Sequence, residues 1–137
     1  MAETQEKLSR VLLIEDDTFL VGMYVAKLEM ERFLTLVANE GEQGLAIAKR
    51  EIPDLILLDI VLPKMDGFLV LEELKRDPTT RSIPVILLTN LGQKKDVERG
   101  MALGASDYLI KAHFMPSEVI EKIKHTIERT ATLRSFS

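Results

Sequence analysis

Residues 55–67 read Leu55-Ile56-Leu57-Leu58-Asp59-Ile60-Val61-Leu62-Pro63-Lys64-Met65-Asp66-Gly67. Four apolar residues in unbroken succession, ending on an aspartate, do not alternate with polar ones. That is the pattern of a strand covered on both faces, as in a parallel sheet sandwiched by helices. Asp66-Gly67 marks a turn, and Phe68, Leu71 and Leu74 then recur at i, i+3 and i+6, the spacing of a helix with one buried face. The stretch reads as strand, acid-tipped loop and helix.

The same unit recurs on both sides. Further apolar runs at 11–14, 34–38, 85–88 and 108–110 predict four more strands. Between them, Leu20, Tyr24 and Leu28 predict a first helix, and Gly41 to Gly44 with Leu45 and Ile47 a shorter second one. Val97, Met101 and Ala102 predict a weaker fourth, and Ile120, Ile123 and Ile127 a fifth. Pro53 closes the second helix, Pro84 opens the fourth strand, and Pro116-Ser117-Glu118 suits a first helical turn. Five β-α units in succession predict a doubly wound α/β domain with right-handed crossovers. The domain is expected to span 10–129, with 1–9 a flexible N-terminus and 130–137 a C-terminal tail or the start of a linker.

Composition narrows the chemistry. The chain has 137 residues, 18 basic and 22 acidic, for a net charge of −4. A weakly acidic domain lacks the clustered positive charge that binding to phosphate backbones requires, so no direct nucleic-acid partner is expected. The absence of cysteine removes disulfides, thiolate catalysis and Cys-ligated metals, and only His113 and His125 are left for imidazole ligation. No apolar run approaches a membrane span, and the first ten residues lack the apolar core of a secretion signal. The expected setting is the cytoplasm, with no membrane partner.

The acids are placed where they matter. Glu15, Asp16 and Asp17 follow the first strand, and Asp59 ends the third. If the strand order is 2-1-3-4-5, strands one and three adjoin at the switch point where open α/β sheets bind ligands, and Glu15, Asp16 and Asp59 would converge there. Carboxylates so close repel one another unless a cation joins them, and an all-oxygen set suits a hard divalent ion, Mg²⁺ first and Mn²⁺ second. Any one Asp at a strand end also serves as a helix N-cap, which is the reading given to Asp17 ahead of Thr18-Phe19. Thr89 and Lys111 end the fourth and fifth strands, so a hydroxyl and an ammonium face the acids. The set comprises an acidic metal nest, a central nucleophilic carboxylate and two holders for phosphoryl oxygens.

Glu15-Asp16, the run from Asp59 through Pro63 to Asp66-Gly67, Thr89, the run Gly104-Ala105-Ser106-Asp107-Tyr108 and Lys111 together resemble a response-regulator receiver domain of two-component signalling, of the single-domain, CheY-like kind. The resemblance covers about residues 10–129 and implies a flavodoxin-like (βα)₅ fold. It implies that Asp59 accepts a phosphoryl group from a histidine kinase or a histidine phosphotransfer protein. It further implies that Asp16, Asp59 and the Val61 backbone carbonyl ligate Mg²⁺, with Glu15 acting through water, and that Thr89 and Lys111 bind the phosphoryl oxygens. Thr89 and Tyr108 would form the switch, with Tyr108 turning from an exposed to a buried position. The face of helix four, strand five and helix five would be read by a downstream protein or a second copy.

Several residues depart from the family pattern. Ala112 stands where proline usually follows the lysine through a cis peptide, so a trans loop of different shape is expected there. His113 in the same loop is a plain loop histidine or a ligand. Asn90 is larger than the usual small residue after the threonine. Val61 and Leu91, at positions that tune dephosphorylation in the family, are apolar and cannot orient an attacking water, so slow loss of phosphate is expected. Other readings are a receiver fragment of a larger, for instance DNA-binding, regulator, and a Mg²⁺-dependent phosphohydrolase with Asp59 as nucleophile. Val61 stands where such hydrolases carry a second acid. A flavin module of this topology is disfavoured, because Glu15-Asp16-Asp17 would repel its phosphate.

Overall fold

The computed structural model describes residues 8–135 of the chain. Strand β1 (Arg10–Ile14) leads into α1 (Thr18–Met30), followed by β2 (Leu34–Ala38), α2 (Gly41–Glu51), β3 (Leu55–Leu58) and α3 (Gly67–Arg76). Then come β4 (Val85–Thr89), α4 (Lys94–Ala102), β5 (Asp107–Ile110), a 3₁₀ turn (Lys111–His113) and α5 (Pro116–Ser135). The strands form one parallel sheet in the order β2-β1-β3-β4-β5. The expected fold class and strand order are both found.

The period of two along each strand explains why the runs are continuous. Leu12, Ile14, Ile56, Leu58 and Leu87 point to one face, where Leu45 and Ala48 of α2 and Phe68, Leu71 and Leu74 of α3 cover them. Val11, Leu13, Leu55, Leu57, Ile86 and Leu88 point to the other, against Tyr24 and Leu28 of α1 and Val119, Ile120 and Ile123 of α5. In the central strands β1, β3 and β4 both faces are dry, so no polar residue interrupts 11–14, 55–58 or 85–88, whereas the edge strand β2 admits Thr35 and leaves Leu34 exposed. Helix α4 differs: its one buried residue is Gly100, while Met101 and Ala102, two of the residues that predict it, face solvent.

The ends depart from the expected boundaries. Residues 1–7 and 136–137 lie outside the described residues, so most of the predicted flexible N-terminus and the last two tail residues lie there too. Ser9 is anchored, its carbonyl accepting the Leu34 N–H at 3.0 Å. Helix α5 continues to Ser135, past residue 129, because 130–135 contains no Gly or Pro to stop it. Thr130 and Thr132 there donate their hydroxyls to the carbonyls of Thr126 and Glu128. Among the described residues, no helix is long and apolar enough to cross a membrane.

Candidate functional site

Strand register builds the site. Ile14 pairs with Leu58, so the chain leaves β1 and β3 at the same level, with Glu15 and Asp59 side by side. Their backbones stay in the ladder: Asp59 N–H donates to the Ile14 carbonyl and Glu15 N–H to the Ala38 carbonyl, each at 3.0 Å. Both side chains are buried, whereas Asp16 and Asp17 are exposed. Asp17 is the N-cap of α1, accepting the N–H groups of Phe19 (3.0 Å) and Leu20 (3.1 Å), as its capping reading expects. Glu15, Asp16 and Asp59 each bring one carboxylate oxygen within 4.8 Å of the others.

Lys111 crosses the end of β4 to reach this group. Its Nζ donates to Glu15 Oε1 at 2.7 Å and to Asp59 Oδ2 at 2.9 Å, with the lysine side chain only 15% exposed. The other Asp59 oxygen, Oδ1, accepts the Val61 N–H at 3.2 Å, and Glu15 Oε2 accepts the Asp17 N–H at 3.1 Å. One ammonium among three carboxylates leaves the cluster two charges negative. Burial raises the Glu15 carboxyl above its ordinary value; the bond to Lys111 pulls the other way, and the Asp59 charge adds to the rise. Burial pulls the Lys111 ammonium down, but the bonds and charges of Asp59 and Glu15 outweigh it and the net direction is up.

The β3–α3 loop is shaped by Gly67. Its N–H donates to the Ile60 carbonyl at 2.7 Å, and a Cβ at this position would stand 2.3 Å from the Asp59 carbonyl oxygen and 2.6 Å from Ile60 Cα. Only glycine permits that approach. Asp66 caps α3 by accepting the Leu69 N–H at 3.1 Å. The loop returns close under the acidic cluster, leaving Val61 exposed at its rim.

A cavity of about 320 Å³ opens over the cluster, lined by Glu15, Asp16, Asp17, Asp59, Val61, Asn90 and Lys111. Thr89 is absent from this lining. It is fully buried at the end of β4, its Oγ1 accepting the Leu91 N–H at 3.3 Å, and Asn90 takes the place at the rim. Tyr108 is half-buried, and its hydroxyl donates to the Leu91 carbonyl at 2.5 Å, so the Leu91 backbone is bonded from both sides, by Thr89 and by Tyr108. Burial first, then the charges of Asp96 and Asp59, push the Tyr108 phenol up to about 12. The shared role of the Leu91 backbone was not legible, since a main-chain group leaves no mark on residue identity. No peptide bond among the described residues is cis, so Lys111–Ala112 is trans and enters the 3₁₀ turn; His113 is exposed and does not line the cavity.

The donor set fits a hard divalent ion: all oxygen, two net negative charges, two carboxylates held by buried backbone and one free to adjust.

Comparison with known proteins agrees with this geometry. The family model of the response regulator receiver domain matches residues 11–124. The response regulator PleD of Caulobacter vibrioides is 46% identical over 103 residues, covering 75% of this chain and 23% of that protein. The DNA-binding dual master transcriptional regulator RpaA of Synechocystis is 41% identical over 121 residues, covering 88% of this chain and 50% of that one. The chain therefore spans half or less of the length of these relatives. A CheY-like receiver domain protein from Methanospirillum hungatei superposes with a TM-score of 0.86 at 28% identity, over 92% of this chain and 98% of that one.

Proposed function

The chain belongs to the response regulator receiver domain family of two-component signalling, and on that premise we propose that Asp59 is its phosphoacceptor. The observation that carries this reading is the placement of Asp59, bonded to Lys111 at 2.9 Å beside Glu15 and Asp16 at the floor of an open cavity. Asp59 Oδ attacks the phosphorus of a phosphohistidine on a histidine kinase or phosphotransfer protein. The P–N bond breaks, the imidazole leaves with the electron pair, and an acyl phosphate forms on Asp59.

Asp16, Asp59 and the Val61 carbonyl are the residues to hold Mg²⁺, with Glu15 acting through water. When bound, the ion neutralises the acidic excess and the charge on the phosphoryl oxygens. Lys111 is released from sharing two carboxylates to bond the phosphoryl group, and Thr89 contributes its hydroxyl by leaving the Leu91 N–H. That release frees the Leu91 backbone, to which Tyr108 is also bonded, and so passes the change to β5 and the neighbouring α4 and α5. The chain acts as a cytoplasmic phosphoacceptor read by a downstream protein or a second copy, not as an enzyme on other substrates.

The test is incubation with acetyl phosphate or phosphoramidate and Mg²⁺, followed by intact mass measurement. A single phosphate adduct is expected, absent in Asp59→Asn and absent with chelator. An adduct that survives Asp59→Asn overturns the assignment.

A further inference from the structure

Helix α4 is held to the body of the domain by unusually little. It buries no apolar side chain; its one buried residue is Gly100, where a Cβ would stand 2.6 Å from Leu87 Cδ1 and 2.9 Å from the Tyr108 ring. The helix can therefore lie flush on β4 and β5, but contributes little apolar area of its own to keep it there. Arg99, in the last turn of the helix and just before Gly100, is exposed, and its guanidinium lies over the ring of Phe68 at 4.3 Å from the centroid. Phe68 is only 4% exposed although it sits at the second position of α3, and the arginine is part of its cover. A planar cation on an aromatic face is an attractive contact, and arginine suits it better than lysine.

Phe68 directly follows Gly67, whose backbone packs against Asp59 and Ile60. The start of α3 must therefore follow any shift of the Asp59–Ile60 backbone, and the Phe68 ring moves with it. We propose that the Arg99–Phe68 stack is a second mechanical tie between the phosphoacceptor loop and α4, separate from the Thr89–Leu91–Tyr108 line, and that Arg99 positions α4 through it. This rests on Asp59 being the phosphorylated residue only in its regulatory half. The tie itself is a property of the fold without phosphate.

Amide hydrogen exchange over Lys94–Ala102 tests it in the full chain. Arg99→Gln keeps the aliphatic cover but removes the cation, and a surface change of this kind leaves the core intact. It is expected to speed α4 exchange about two- to fivefold without added phosphate, with Arg99→Lys restoring part of the protection. In a Phe68→Leu background, Arg99→Gln should add nothing further. With acetyl phosphate and Mg²⁺, Arg99→Gln should take up phosphate as the parent does, yet show a smaller phosphate-dependent change in α4. Unchanged α4 exchange in Arg99→Gln overturns the tie, as does an equal effect with and without the Phe68 ring. Failure of the parent to take up phosphate would instead remove Asp59 as acceptor, leaving the phosphate-free comparison to decide on Arg99.

Discussion

At the amino end of the sheet Arg10 and Lys75 are matched to their surroundings; at the carboxyl end Lys111 is outnumbered. The Arg10 backbone N–H donates to Asp54 Oδ2 at 2.7 Å, and its guanidinium bonds the Glu51 carboxylate (3.2 Å) and the carbonyls of Glu51 and Ile52. Lys75 Nζ donates to the carbonyls of Arg81 (3.0 Å) and Ile83 (2.8 Å), closing the approach to β4. These charges finish backbone hydrogen bonding where strands begin. At the other end Lys111 serves Glu15 and Asp59 together, with Asp16 beside them. A fold optimised for stability alone would not gather three carboxylates around one lysine, so the excess charge is a property of the site.

The sharpest way to break this contrast is to remove the outnumbered cation. Lys111→Met leaves Glu15 and Asp59 buried without a counter-charge, which should cost about 3 kcal/mol in metal-free buffer. Arg10→Met, whose partners are half-exposed, should cost about 1 kcal/mol. Urea denaturation measures both, and Mg²⁺ should recover a large part of the first loss and none of the second. Equal losses, or no Mg²⁺ effect on Lys111→Met, would mean that the acidic end is not held by charge balance.

The second prediction concerns the rim. Val61 is exposed beside Asp59, and Leu91 is the residue whose backbone Thr89 and Tyr108 share. Neither side chain can orient water, so a phosphorylated Asp59 should lose phosphate slowly. Val61→Asn with Leu91→Lys should speed release roughly tenfold, equivalent to about 1.4 kcal/mol of barrier. A phosphate-release time course no faster than the parent's would count against this.

The third prediction is opposite signs. Asp59→Asn lowers the acidic excess and should stabilise the metal-free protein by about 1 kcal/mol. Asp54→Ala strips the acceptor from the Arg10 N–H and should destabilise by about 1–2 kcal/mol. Thermal or urea midpoints with the same sign for both would dissolve the distinction between the two ends.

The sequence carries these two ends unequally. Unbroken apolar runs such as 55–58 announce strands buried on both faces, and the acids that end the runs 11–14 and 55–58, with the lysine that ends 108–110, stand out because no charged residue lies within those runs. That made the β-α alternation and the charged strand ends readable, while the strand order, and with it the convergence of Glu15, Asp16, Asp59 and Lys111, followed from the resemblance to receiver domains. What was not readable depends on geometry within a turn. Thr89 ends β4 as expected, yet its side chain is buried away from the cavity while Asn90 stands at the rim. Met101 and Ala102 predict α4 by their apolarity but face outward, because a helix seated on a glycine needs no apolar stripe. The tie through Arg99 was invisible, since an exposed arginine looks the same whether or not an aromatic ring lies beneath it.

The smallest effect separates the two ends by the pH response of their lysines. Burial pushes the Lys75 ammonium below the ordinary lysine value of 10.5, while the net direction for Lys111 is above it. For Lys75 the unfolded chain binds more protons across the window just below 10.5, so its contribution to stability rises with pH there. For Lys111 the folded state holds its proton longer, so its contribution is fully present below 10.5 and is lost as pH climbs beyond the folded value. Denaturation of the parent and of Lys75→Met from neutral pH to about 10 isolates the first slope. The stability difference, parent minus variant, should grow with pH by less than about 1 kcal/mol, since Lys75 is partly in contact with solvent. A difference that is flat or falls would mean that the two carbonyls hold the ammonium charged after all. The amino end would then bind its cation as firmly as the acids bind Lys111.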